Sequence, residues 1–255
     1  MSKKRTGARR IVDVPHNILE QINKGEIETV NLTECLAIDF VILLKSVFPK
    51  IDQEVISKMS EAAKLGWMER TRLAARLVYQ SYGLEIVPTL LMHSSDNVRG
   101  WTSGVIAAAP ELSLQQRLEM IQPLANDTNS GTRETAWLLM RNHIASDVRH
   151  SIKLLTPWTY HEQANIRRFA TESTRPRGVW CSHIPLLKEQ PEIALPLLEP
   201  LHSDPSRYVQ NSVANWLNDA AKSQPEWVKS LTKKWLDISK TKETQYICKR
   251  STRSL

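Results

Sequence analysis

Three carboxylates in this chain stand among arginines and amides, where a purely solvated helix face would carry scattered Glu and Lys. The densest case is residues 165–180, N-I-R-R-F-A-T-E-S-T-R-P-R-G-V-W, with one glutamate, four arginines and one tryptophan in sixteen positions. Ile166, Phe169 and Ala170, at i, i+3 and i+4, predict a helix with an apolar stripe. Arg168 and Glu172 fall one turn apart on another face, where side chains meet. Pro176 predicts the helix stop, because proline has no N–H to donate and restricts the residue before it. The loop beyond carries Arg177, Gly178 and Trp180, and Trp180 lies outside any apolar periodicity. This is more chemistry than a packing helix needs.

A second carboxylate, Asp219, sits on a helix read over residues 207–222. Val209, Val213, Trp216, Leu217 and Ala220 form its apolar stripe, and Asn211, Asn215, Asn218 and Lys222 a polar one. Asparagine costs helix propensity, so three in a row of turns point to use as hydrogen-bonding groups. A third, Glu134, shares a face with Arg141 two turns on, while Trp137, Met140 and Ile144 pack the other side. Taken alone, Glu134 is an ordinary first-turn glutamate favoured by the helix dipole.

A carboxylate repels phosphate, so in basic surroundings it would address something cationic. One such target is an alkylated base; another is a sugar that becomes oxocarbenium-like as its glycosidic bond breaks. Other chemistries lack their signatures. There is no Gly-rich phosphate loop, no His-Glu-x-x-His, no paired Cys-x-x-Cys and no Gly-x-Ser-x-Gly elbow. Cys181 and His183 have no partner pair at ligand spacing, so no metal site is expected.

The elements that must position these groups read as helix after helix with short connections, and no window sustains a period of two. Second helices of successive pairs start alike, at Asn97-Val98-Arg99, Gly131-Thr132-Arg133 and Asn165-Ile166-Arg167, with the arginines 34 residues apart. Arg70 precedes the series by 29 and Gln210 continues it after 43, the extra length falling in the loop around residues 175–180. That period predicts an all-α fold, an α-solenoid of HEAT-like repeats whose stacked pairs share a core and present a concave, basic inner surface. Residues 16–255 are expected to form this single repeat domain. Residues 1–15, with five Lys/Arg in the first ten positions, read as a disordered basic lead-in.

Charge and composition agree with a polyanionic partner. The 255 residues carry a net charge of +7, most simply matched by nucleic acid. No apolar run approaches the length of a bilayer span, so no membrane partner is expected. The basic start is followed by polar sequence, so no secretory leader is expected. Three distant cysteines suit a reducing cytoplasm.

Two segments carry a family resemblance: R-R-F-A-T-E-S-T-R-P-R-G-V-W at 167–180 and D-P-S-R-Y-V-Q-N-S-V-A-N-W-L-N-D at 204–219. They resemble the bacterial DNA alkylation repair glycosylases of the HEAT-like repeat superfamily (AlkC/AlkD type), and the Arg-Pro-Arg loop points to the AlkC branch. The resemblance implies hydrolysis of the N-glycosidic bond of cationic alkylated bases, chiefly 3-methyladenine, in double-stranded DNA. It also implies that no metal or cofactor is used and that the base is not flipped into a pocket. By the same resemblance, Glu172, Asp219 and Glu134 are the catalytic carboxylates, and Trp180 packs against the lesion's deoxyribose. Arg168 then holds phosphate, with Arg175, Arg177, Arg207, Asn211, Asn215 and Lys222 as further DNA contacts. A monomer in the bacterial cytoplasm, associated with the nucleoid, is expected. Two other uses of the scaffold stay open on the residues alone: a catalytically silent binder of DNA structure, and a protein-binding solenoid.

Overall fold

A computed structural model describes residues 5–255, and among these every regular element is a helix. The basic residues Lys3 and Lys4 of the expected lead-in lie outside the described residues. Two compact units emerge, Met1–Leu139 and Met140–Leu255. The first holds α1 (His16–Lys24), α2 (Leu32–Ala37), α3 (Phe40–Val47), α4 (Gln53–Glu61), α5 (Trp67–Tyr82), α6 (Val87–Leu91), α7 (Asp96–Ala108) and α8 (Leu114–Ala125). The boundary falls within α9 (Ser130–Ser146). The second unit continues with α10 (Val148–Leu155), α11 (Ala164–Glu172), α12 (Pro185–Glu189) and α13 (Leu195–Leu198). It closes with α14 (Arg207–Ala221), α15 (Pro225–Ile238) and α16 (Lys242–Ser251), and short 3₁₀ turns join several helices in both units.

In the first unit, α7 is the central helix, buried from Asp96 through Ile106 and packed by α5, α6 and α8. A Cβ at Gly104 would lie 2.3 Å from the Ala75 Cβ, so glycine is what lets α7 approach α5. In the second unit α14 plays the same part, against α11, α15 and α16. Its predicted stripe of Val209, Val213, Trp216, Leu217 and Ala220 is fully buried, as the spacing required. Trp101, Trp137 and Trp235 are buried too, while Trp67 and Trp227 are half-buried.

The repeat arginines share one geometry. Arg99 Nη1 donates to the carbonyls of His93 and Ser94 at 2.8 and 3.1 Å. Arg133 Nη1 donates to those of Asp127 and Thr128 at 2.6 and 3.0 Å, and Arg167 Nη1 to those of His161 and Glu162 at 2.8 Å each. Each arginine thus ties its helix to the carbonyls six and five residues back, in the preceding turn. Gln210 makes the first of these contacts with its amide, donating to Asp204 O at 2.7 Å. Arg70 does not belong to the series, since its guanidinium donates to Ile38 O and covers the Phe40 ring.

Residues 5–15 depart from the disordered lead-in expected of them. Arg5 pairs with the buried Glu34 carboxylate and donates to Glu28 O at 2.8 Å, and Asn31 Nδ2 donates to Ala8 O at 2.8 Å. A short 3₁₀ turn follows over Ile11–Asp13. The buried glutamate needs a counter-charge, and the lead-in supplies it.

Candidate DNA-repair site

Helix α11 ends at Glu172, four residues before Pro176, so Arg175 belongs to the loop beyond it. A carboxylate at a helix C-terminus faces the negative end of the macrodipole and is disfavoured there unless cations compensate. Glu172 is only 4% exposed. Its Oε1 accepts from Arg175 Nη1 at 2.8 Å and its Oε2 from Ser212 Oγ at 2.6 Å, with Arg168 Nη2 at 3.6 Å. Burial works against its charge, yet the Arg168 and Arg175 guanidiniums and the Ser212 hydroxyl overcome it and hold the carboxyl below the ordinary glutamate value.

Asp219, projecting from α14, meets the same guanidinium. Arg175 Nε donates to its Oδ2 at 2.8 Å, Nη2 lies 2.7 Å from the same oxygen, and Lys222 Nζ lies 3.6 Å from its Oδ1. One arginine therefore bridges two buried carboxylates. Burial alone would weaken the Arg175 charge, but the two flanking carboxylates raise its pKa above the usual arginine value. Arg175 was expected as a contact to the DNA backbone; in the structure three of its guanidinium nitrogens lie against these two carboxylates.

The loop is anchored from three sides. Buried Arg141 on α9 donates to the carbonyls of Ser173, Arg175 and Ser182 at 2.8, 2.5 and 3.1 Å. Trp216 Nε1 donates to Thr174 O at 3.1 Å. Arg177 donates to Asp219 O at 3.3 Å and to Ser223 Oγ at 2.6 Å. A Cβ at Gly178 would lie 2.0 Å from Cys181 Sγ, so a side chain there would force the Cys181 thiol to turn aside. Two residues on, Trp180 is 54% exposed with φ +62°. A bulky residue in the left-handed region costs on the order of 1–3 kcal/mol and recurs where a side chain is being aimed for use.

The remaining sequence candidates are distributed as follows. Arg168 stacks on the Tyr208 ring at 4.2 Å and Arg207 on Tyr246 at 3.5 Å, so aromatic faces set both guanidinium planes. Lys222 is exposed. Asn211 and Asn215, expected to contact DNA, have acceptors engaged within the unit. Tyr246 Oη donates to Asn211 at 2.7 Å and Arg253 Nη2 to Asn215 at 2.9 Å, so α16 and its C-terminal turn cover that stripe. Asn218 is buried, and its Oδ1 has no hydrogen-bond partner. Glu134 belongs to the first unit, where it accepts Trp137 Nε1–H at 2.7 Å. Among the described residues no group of three or more His, Cys, Asp or Glu could hold a metal ion, and no helix is long and apolar enough to cross a membrane.

Sequence reasoning missed two residues of the site. Ser212 precedes Asp219 by seven residues on α14, the same-face spacing that could have flagged it. Arg141 carried no such signal, since its partners lie over thirty residues away in the chain.

Comparisons with known proteins agree with this architecture. A family described as DNA alkylation repair enzyme matches residues 107–252. The Bacillus subtilis protein YhaZ is 31% identical over 202 residues, which is 78% of this chain and 55% of that protein. Among solved structures, the Pseudomonas fluorescens alkylpurine DNA glycosylase AlkC, bound to DNA containing an abasic site analogue, has the same fold with a TM-score of 0.68. It is 22% identical, and the match covers 92% of this chain and 61% of that one. AlkD2 from Streptococcus mutans gives a TM-score of 0.53 at 23% identity, covering 84% of this chain and 96% of that one. The chain thus spans little more than half the length of YhaZ and about three-fifths of AlkC. With more than half of its residues inside the family match, the chain belongs to the DNA alkylation repair enzyme family.

Proposed function

We propose that this protein is a DNA glycosylase that hydrolyses the N-glycosidic bond of cationic alkylated bases, chiefly 3-methyladenine, in duplex DNA. The observation that carries the reading is the pair of buried carboxylates, Glu172 and Asp219, sharing one guanidinium beneath a loop that ends in the exposed, left-handed Trp180. In the reaction the base departs with the bond pair, which neutralises its positive charge. The C1′ carbon becomes oxocarbenium-like, and a water oxygen adds there while a carboxylate takes the water's proton. Glu134, in the first unit, is proposed as a further carboxylate used by the enzyme.

A cationic base leaves readily, so the reading requires no pocket around a flipped base. Trp180 lies against the deoxyribose, and Arg168, Arg177, Arg207 and Lys222 neutralise phosphates. The enzyme acts as a monomer at the bacterial nucleoid. Free 3-methyladenine released from methylated duplex DNA tests this, with wild type beside Glu172→Gln, Asp219→Asn and Trp180→Ala. Wild type should release base and the three variants should release it slowly; no release by wild type ends the reading. A catalytically silent binder of DNA structure is the second reading, favoured by the compensation that Arg175 already gives both carboxylates. It predicts tight DNA binding with no release.

A further inference from the structure

We infer that Arg175 is a positioning residue for this reaction, setting the spacing of Glu172 and Asp219 without touching DNA. The inference rests on the glycosylase reading for its chemistry and on the geometry for its placement. Two carboxylates buried side by side repel, and one would take up a proton unless a cation lies between them. Arg175 is that cation, with Nη1 on Glu172 and Nε and Nη2 on Asp219, all within 2.8 Å. Three of its guanidinium nitrogens are spent on these two carboxylates, so the side chain is committed to the pair. Its carbonyl is held in turn by Arg141, so backbone and side chain are both constrained.

Other charged groups near the pair do a different job. Arg168 on α11 and Lys222 at the C-cap of α14 approach only to 3.6 Å, each on a single carboxylate. Ser212 on α14 is neutral, and Arg141 on α9 spends its hydrogen bonds on carbonyls. Arg253, in the turn after α16, donates to Asn215 at 2.9 Å, near enough for Asp219 and Arg175 to influence its charge. Of these groups only Arg175 touches both carboxylates, so it alone can fix their separation. A sugar cation forming nearby then meets two fixed negative charges whose repulsion has already been offset.

The test compares wild type with Arg175→Gln and Arg175→Lys. Base release from methylated duplex DNA is followed between about pH 3 and pH 8, so that an acidic limb set by Glu172, held below its ordinary value, is reached. In parallel, Glu172 is titrated in the DNA-free protein by ¹³C carboxyl NMR, its signal assigned by loss in Glu172→Gln. Arg175→Lys keeps a charge but cannot bridge, and should lower kcat about tenfold with KM for DNA within about twofold. Arg175→Gln should move the acidic limb, and the Glu172 titration with it, upward by about one pH unit or more. A loss carried by KM would make Arg175 a phosphate contact and overturn the inference. An unmoved limb and unmoved titration in a folded variant would overturn it too. Should Arg175→Gln not fold, the split between kcat and KM in Arg175→Lys decides the question. A wild type that releases no base sinks the glycosylase reading, and the titration, which needs no activity, then upholds or overturns the placement of Arg175 alone.

Discussion

Replacing Glu172 by glutamine removes one charge from the cluster and little else. The amide oxygen can still accept from Ser212 Oγ, now 2.6 Å from the carboxylate, and the side-chain volume is kept. What is lost is the counter-charge to Arg175 at 2.8 Å and Arg168 at 3.6 Å. Stranding one member of a buried ion pair costs about 3–5 kcal/mol. Here Arg175 keeps Asp219, and Arg168 keeps the Tyr208 ring, so the loss should be smaller, about 2 kcal/mol. For a chain of this size that lowers Tm by about 4–8 °C. A substitution at the exposed pair Glu226–Lys229, where solvent screens the charges, should leave Tm nearly unchanged.

The pH dependence makes the test sharper. Folding lowers the Glu172 pKa from the ordinary 4.5, because the two guanidiniums and Ser212 outweigh burial. Its ionisation therefore stabilises the fold fully above the unfolded value, and that stabilisation disappears as pH falls through the folded one. The Tm gap between wild type and Glu172→Gln should stay constant from neutrality down to about pH 5 and close only below the ordinary value. Equal Tm at neutral pH, or a gap that closes between about pH 7 and pH 5, would refute the reasoning.

Other outcomes follow from the same contacts. Arg167→Met breaks a bidentate pair with the buried Asp204, at 2.6 and 2.9 Å, and should cost about 3–5 kcal/mol in chemical denaturation while DNA affinity of the folded fraction is unchanged. Arg141→Ala strands three carbonyls and should make the loop at 173–182 the first site cut in limited proteolysis; an unaltered cleavage pattern would sink the anchoring role. Trp180→Gly should be more stable than Trp180→Ala by about 1 kcal/mol, because only glycine adopts φ +62° without cost, and both should lose base release. Arg207→Ala should reduce the slope of log Kd against log salt for duplex DNA by about one, and an unchanged slope would remove it from the phosphate contacts.

Much of this was legible in the sequence, and the misses have physical causes. The 34-residue recurrence of Arg99, Arg133 and Arg167 marks real repeats, because each arginine makes the same two contacts to its own preceding turn, a local interaction that spacing can encode. The α14 stripe was legible for the same reason, since helical period and burial coincide. Long-range contacts left no such trace. Arg175 and Asp219 are 44 positions apart, and nothing in either segment announces the pairing. The asparagine stripe was correctly unusual, but its partners Tyr246 and Arg253 come from an element whose packing no local pattern shows. Pro176 marked the break only approximately, because α11 ends earlier, where Arg175 draws the chain across to Asp219.

Asp204 explains how a repeat scaffold comes to hold a site in register. Its carboxylate takes the Arg167 fork from α11 and the Ser206 N–H at the start of α14, while its carbonyl takes the Gln210 amide. Asp127 receives the same set in the first unit: the Arg99 fork, the Asn129 N–H and Arg133 on its carbonyl. The device is therefore part of the frame, present where Glu172 and Asp219 are not. In the second unit it gains a consequence. Arg167 fixes the rotation of α11 about its axis, and Arg168, about 100° further round, is turned towards Tyr208. Glu172 then follows one turn later on that same face, opposite Ser212 on the helix that Gln210 has pinned. Two carboxylates on different helices can share one guanidinium only if those helices cannot slide or roll, and the clamp at Asp204 removes both freedoms.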